Sequence, residues 1–102
     1  MTNVLEKEIE SKLREMVEQH GGMCLKWVCP SWAGVPDRIV LLPYGRIVFV
    51  ELKRPRGGKV SSRQEWWGRK LQALGFHWCV VKDEPTLVLF EEKYLKPTES
   101  LF

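Results

Sequence analysis

The stretch GVPDRIVLLPYGRIVFVELK, residues 34–53, decides how the chain folds. Two β-branched runs, DRIVLL and RIVFVEL, flank PYG, a turn-forming tripeptide, so the segment reads as a β-hairpin. The second run is apolar enough to be a strand buried on both faces. Yet it closes on Glu51 and Lys53, and the first run opens on Asp37. Side chains alternate along a strand, so Glu51 and Lys53 share a face, about 7 Å apart. The hairpin brings the start of DRIVLL to the end of RIVFVEL and sets the carboxylates of Asp37 and Glu51 side by side. Two like charges at one edge repel each other unless something positive lies between them, and a hard divalent cation bound through oxygen is the usual resolution. A lysine beside such a pair can orient an attacking water or stabilise developing negative charge. The plainer alternative is an ordinary ion pair between Glu51 and Lys53, with Asp37 merely starting a strand.

Working outward, Leu5, Ile9, Leu13, Met16, Val17 and His20 recur at helical spacing. They predict a helix over residues 3–20, with Asn3 and Glu6 as a capping pair and Gly21-Gly22 as its stop. MCLKWV predicts a strand and CPSWAGVP a loop. Beyond the hairpin, the basic, glycine-rich RPRGGKV leads into SSRQEWWGRKLQALG. This reads as a second helix with Ser61 as N-cap, Gln64 three residues on and Gly75 at its C-terminal stop. Trp67, Leu71 and Leu74 form its apolar stripe and are expected in the core, with Trp66 offset from them. FHWCVV predicts another strand. DEPTLVLFEEKYLK reads both ways, and TLVLF tips it towards a short strand. The order is helix, three strands, helix, one or two strands: a mixed α/β domain with helices against a central sheet.

The 102 residues allow one domain with one core. Apolar residues at 44% and charged residues at 28% exclude a disordered chain. No apolar run approaches the roughly 20 residues of a bilayer span, and MTNVLEKEIE does not resemble a secretory leader, so no membrane partner and a cytoplasmic location are expected. Cys24, Cys29 and Cys79 fit reduced thiols and make a poor structural zinc site. The net charge is only +3, but Lys53, Arg54, Arg56, Lys59, Arg63, Arg69 and Lys70 fall within 18 residues. Such a cluster suits phosphate contact or a solvated face. Trp27 and Trp32 flank the loop before Asp37, where a ring serves packing or stacks on an unpaired base. His20 and His77 have no ligand partners at metal-binding spacing and read as structural.

Gly34-Val35-Pro36-Asp37-Arg38 followed by Glu51-Leu52-Lys53 resembles the motif pair of the PD-(D/E)xK nuclease superfamily. GVPDRI and VFVELK, with Ser61-x-x-Gln64 downstream, are similar to the VRR-NUC branch in particular. That branch includes small stand-alone phage and bacterial proteins and the nuclease domain of a Fanconi-anaemia-associated repair enzyme. The resemblance covers nearly the whole chain, taken as a single nuclease domain over residues 1–102. It implies a restriction-endonuclease-like core, a mixed central β-sheet flanked by helices, in a bacterial cell or phage-infected host.

The resemblance also implies roles. Asp37 and Glu51 would hold Mg2+ or Mn2+, with the backbone carbonyl of Leu52 as a further ligand. Lys53 would position the nucleophilic water and steady the pentavalent phosphate. Gln64 would lie near the metal, a role compatible with capping Ser61. The family places a first-helix glutamate at the site, as a catalytic group and a direct or indirect metal ligand. Glu10 fits that position by its distance from Gly21-Gly22, in the manner of archaeal Holliday-junction resolvases, with Glu6 one turn away as the alternative. The expected activity is metal-dependent, structure-selective cleavage of Holliday junctions or other branched DNA in replication and repair. Arg38, Arg54, Arg56, Lys59 and Arg63 would hold the DNA backbone without reading bases. Symmetric junction cutting needs two sites, hence a homodimer, with Trp66, Leu101 and Phe102 as candidate contacts. Two alternatives stay open: a non-catalytic DNA-binding accessory module, against which the intact Asp37, Glu51 and Lys53 argue, and a nuclease for flap or linear DNA.

Overall fold

The hairpin forms where the sequence places it and becomes the centre of a three-layer structure. In the computed structural model, which describes residues 6–96, the elements are α1 (Glu6–Gln19), β1 (Met23–Lys26), β2 (Arg38–Leu42), β3 (Arg46–Leu52), α2 (Ser62–Ala73), β4 (His77–Val81) and α3 (Glu84–Phe90). The Asn3 cap, Leu5, Leu101 and Phe102 lie outside the described residues. The strands stand in the order β1-β2-β3-β4, with the first three antiparallel and β4 parallel to β3 after the α2 crossover. Pro43–Gly45 makes the turn between β2 and β3, with Tyr44 and Gly45 both in the left-handed region at φ 68° and 73°.

Strand alternation sorts the two faces of the sheet. Cys24, Val40, Leu42, Val48, Val50, Leu52 and Val81 point towards α1 and α3, where Ile9, Leu13, Val17, Leu87 and Phe90 complete the main core. The intervening residues of β3, Phe49 and Glu51, point the other way, towards α2. β3 is therefore covered on both sides and is buried continuously from Val48 to Leu52. Gly68 lets α2 lie directly on β4, since a Cβ there would stand 2.3 Å from the Trp78 ring. The fold is a mixed four-stranded sheet flanked by three helices, the restriction-endonuclease-like arrangement expected from the sequence.

Two local expectations are overturned. The segment after Asp83 is helical, running through α3 into a π turn at Glu91–Leu95, and is not a strand. Asp83 caps it by accepting from the Thr86 N–H at 3.0 Å, while the Thr86 hydroxyl accepts from the Asp83 N–H at 3.0 Å. This reciprocal cap, with Pro85 in the first turn, outweighs the β-propensity of TLVLF. Leu74 is not core: it is 64% exposed at the C-cap of α2, whose buried residues are Gly68 and Leu71. His20, by contrast, has a structural partner in Glu91, at 3.3 Å.

Candidate active site

β2 and β3 pair with Arg38 opposite Val50, so one step further along the ladder Asp37 faces Glu51. Both backbone edges fix Asp37: its carbonyl accepts from the Trp27 N–H at 3.0 Å, and its Oδ2 accepts from the Leu52 N–H at 2.8 Å. The loop that delivers Asp37 is seated on α2. The Trp67 indole donates to the Ala33 carbonyl at 3.1 Å, and Gly34, at φ +85°, lies so close to Arg63 that a Cβ would stand 2.2 Å from its Cγ.

Glu51 is the one charged side chain in the described core, 1% exposed. Its Oε2 accepts from Gln64 Nε2 at 2.6 Å and lies 3.5 Å from Lys53 Nζ. Its Oε1 is buried without a hydrogen-bond partner. Burial first, and then the neighbouring Asp37 carboxylate, push Glu51 up to about 8, with Lys53 pulling in the opposite direction. Gln64 reaches Glu51 because α2 begins directly above it. The Gln64 N–H donates to Ser61 Oγ at 3.1 Å and Gln64 Oε1 accepts from the Ser61 N–H at 2.9 Å, so one side chain both caps the helix and holds the carboxylate.

Asp37, Glu51, Lys53 and Gln64 thus stand together on the α2 side of the sheet. Glu10 does not join them. It approaches from the α1 side and pairs with Arg38, whose Nε donates to Glu10 Oε2 at 2.8 Å and whose Nη2 contacts the same oxygen. Arg38 Nη1 donates to the Cys24 carbonyl at 3.1 Å, so all three guanidinium nitrogens are engaged within the protein. The alternation that faces Asp37 towards Glu51 turns its neighbour Arg38 to the opposite face. Of these residues Asp37 and Glu10 both line a cleft of about 370 Å3 at the strand ends, together with Glu6, Lys26, Trp27, Val28 and Leu52. Lys26 was not anticipated there, although its antiparallel pairing with Arg38 carries it to the same sheet end. Arg54, Arg56 and Lys59 are exposed on the loop after β3, and Arg63 is exposed at the start of α2. A larger hollow of about 490 Å3 beside β4 and α3 contains none of the predicted site residues.

Among the described residues, no group of three or more His, Cys, Asp or Glu side chains is gathered for a metal ion. The acidic donors at the cluster are two, because Glu10 is turned towards Arg38. The donor chemistry nonetheless fits a hard divalent cation: paired carboxylates, one carrying an unpartnered buried oxygen, beside a backbone carbonyl. A cation held by the two carboxylates would take the place of the proton that burial and the neighbouring Asp37 otherwise keep on Glu51.

No protein-family model matches the chain. Over 87 residues it is 42% identical to "Putative nuclease p44" of Acyrthosiphon pisum secondary endosymbiont phage 1, a match spanning 85% of this chain and 91% of that protein. A solved VRR_NUC domain superposes with a TM-score of 0.82 and 28% identity, over 87% of this chain and 96% of the other. Fold and relatives together define a nuclease with the restriction-endonuclease-like core. The chain belongs to the VRR-NUC nuclease family.

Proposed function

We propose that the chain is a divalent-metal-dependent DNA endonuclease acting on branched DNA such as Holliday junctions, as a homodimer, and that Asp37, Glu51, Lys53 and Gln64 form its catalytic cluster. The observation that carries this reading is Glu51: a buried carboxylate beside Asp37, held on one oxygen by Gln64 and Lys53 and unpartnered on the other. A core made only for stability has no use for such a group.

Asp37 and Glu51 would hold Mg2+ or Mn2+, with the Leu52 carbonyl as a further ligand. The chemistry such a cation supplies is acidification of a water and neutralisation of charge at the scissile phosphate. The protein's own contribution is placement. Gln64 fixes the plane of the Glu51 carboxylate, the Leu52 N–H fixes Asp37, and the Lys53 ammonium stands where it can orient a water and offset negative charge on the phosphate. Glu10 sits at the lip of the same cleft, restrained by Arg38, and serves the site indirectly. The exposed Arg54, Arg56, Lys59 and Arg63 would grip the phosphate backbone without reading sequence. Paired cuts across a junction require two such sites, which a symmetric pair of these small domains provides.

The test is one cleavage assay with a labelled four-way junction, a flap and a linear duplex of matched sequence, each with Mg2+, Mn2+ or EDTA. Paired, metal-dependent cuts in the junction, with the linear duplex left intact, are expected. Equal cutting of flap or linear DNA would remove the junction specificity, and binding without cleavage in either metal would remove the catalytic assignment.

A further inference from the structure

Rings from three parts of the chain meet on the α2 side of the sheet and run outward from the cleft. Trp27, in the cleft wall, has its centroid 5.2 Å from that of Phe49 and 6.0 Å from that of Trp67. Trp67 in turn packs edge-on against Trp32 at 5.9 Å and Trp66 at 5.4 Å. Its position one helical turn beyond Gln64 starts this row of rings at the edge of the carboxylate cluster. Packing accounts for the inner rings. It does not account for Trp32 and Trp66, which stay 53% and 49% exposed on either side of Trp67.

The charge around the two outer rings indicates what would cover them. Lys70 Nζ stands 6.0 Å from the Trp66 ring centroid, and Arg63 lies against Gly34 in the loop that carries Trp32. Arg69 is partly neutralised by Glu65 at 2.7 Å, so the cationic character comes mainly from Lys70 and Arg63, continued by the loop after β3. Aromatic faces interleaved with cations suit nucleic acid with unpaired bases, because the rings stack on any base while the cations follow the phosphates. In an intact duplex both faces of each base are already stacked, so such a platform gains nothing from it.

We infer that Trp32 and Trp66 form a stacking platform for unpaired nucleobases beside the scissile phosphate, and that this platform, more than the carboxylate cluster, selects DNA containing unpaired positions. The inference rests on the nuclease reading above and concerns the branch point of its DNA, where bases lose a stacking neighbour and can open.

The test measures binding of the full chain, with Ca2+ in the buffer and neither Mg2+ nor Mn2+, to a duplex carrying a short unpaired segment and to the same duplex fully paired. Trp32→Ala and Trp66→Ala are each expected to weaken binding to the gapped DNA roughly tenfold while leaving the paired duplex unchanged, with Trp→Phe at each position restoring most of the loss. A 2-aminopurine at the unpaired position gives a readout in the unaltered protein: its fluorescence should fall on binding as it stacks, and stay level if no ring meets it. Equal losses on both DNAs, no loss, or level fluorescence would each overturn the platform. So would conversion of a dimer to a monomer by Trp66→Ala in sedimentation equilibrium without loss of discrimination between the DNAs, since the ring would then be a subunit contact. Cleavage by the unaltered protein is scored separately in Mg2+ or Mn2+. Cutting combined with undiscriminating Trp variants rejects the platform alone, whereas no cutting of any DNA rejects the nuclease reading.

Discussion

Gln64 donates its Nε2 to Glu51 Oε2 at 2.6 Å while its Oε1 closes the N-terminal cap of α2 with Ser61. The start of the helix and the orientation of the buried carboxylate therefore share one side chain, that of Gln64. The bond from the Ser61 backbone N–H to Gln64 Oε1 does not depend on the Ser61 hydroxyl.

This coupling separates two neighbouring substitutions. Ser61→Ala removes only a cap and should cost about 1 kcal/mol in urea unfolding. Gln64→Ala removes the reciprocal cap and a bond to the buried Glu51 carboxyl, and should cost about 1–3 kcal/mol. Cleavage should fall sharply only in Gln64→Ala. Equal cleavage by the two variants would place Gln64 in the cap alone.

Glu51 also sets a pH dependence. In the metal-free protein its pKa is raised from 4.5 to about 8, so between those values the folded state keeps a proton that the unfolded chain releases. The associated stability is complete below about 4.5 and is lost as the pH rises towards 8, at roughly 1.4 kcal/mol per unit at most. Glu51→Gln abolishes this term. In EDTA, its stability relative to the unaltered protein should therefore increase with pH across that window. A difference that does not vary with pH would contradict the buried environment assigned to Glu51.

Arg38 is fully engaged by Glu10 and the Cys24 carbonyl, and this makes it a poor phosphate contact. In DNA-binding titrations against salt, Arg38→Ala should leave the slope of log K on log salt unchanged, whereas Arg54→Ala or Lys59→Ala should each lower it by about one. A double-mutant cycle between Arg38 and Glu10 should return a coupling of about 1–3 kcal/mol, since the pair is largely shielded from water. A coupling near zero would detach Glu10 from Arg38.

The central hairpin was legible because three signals agree there. Two β-branched runs, a turn tripeptide and continuous apolarity of the second run all specify a covered strand pair, and side-chain alternation then places Asp37, Glu51 and Lys53. Gln64 was legible through its capping spacing. The α3 segment was misread because TLVLF carries strand propensity, although Asp83-Glu84-Pro85-Thr86 already contained the cap and the first-turn proline that decide the helix. The pairing of Arg38 with Glu10 was not legible. It depends on where α1 crosses the sheet, a tertiary relation that no local pattern encodes. Leu74 follows the helical stripe but falls at the C-cap of α2, where the helix has already run past the sheet.

Phosphodiester hydrolysis at the buried cluster around Glu51 is the step on which the proposed function depends. It is tested most directly by single-turnover cleavage of labelled DNA by the unaltered protein, Glu51→Gln and Lys53→Ala in Mg2+ or Mn2+, with DNA affinity measured in parallel. Both substitutions should slow cutting by about a hundredfold or more while the DNA remains bound. Cleavage by either variant at the rate of the unaltered protein would show that the cluster around Glu51 is not the site of hydrolysis.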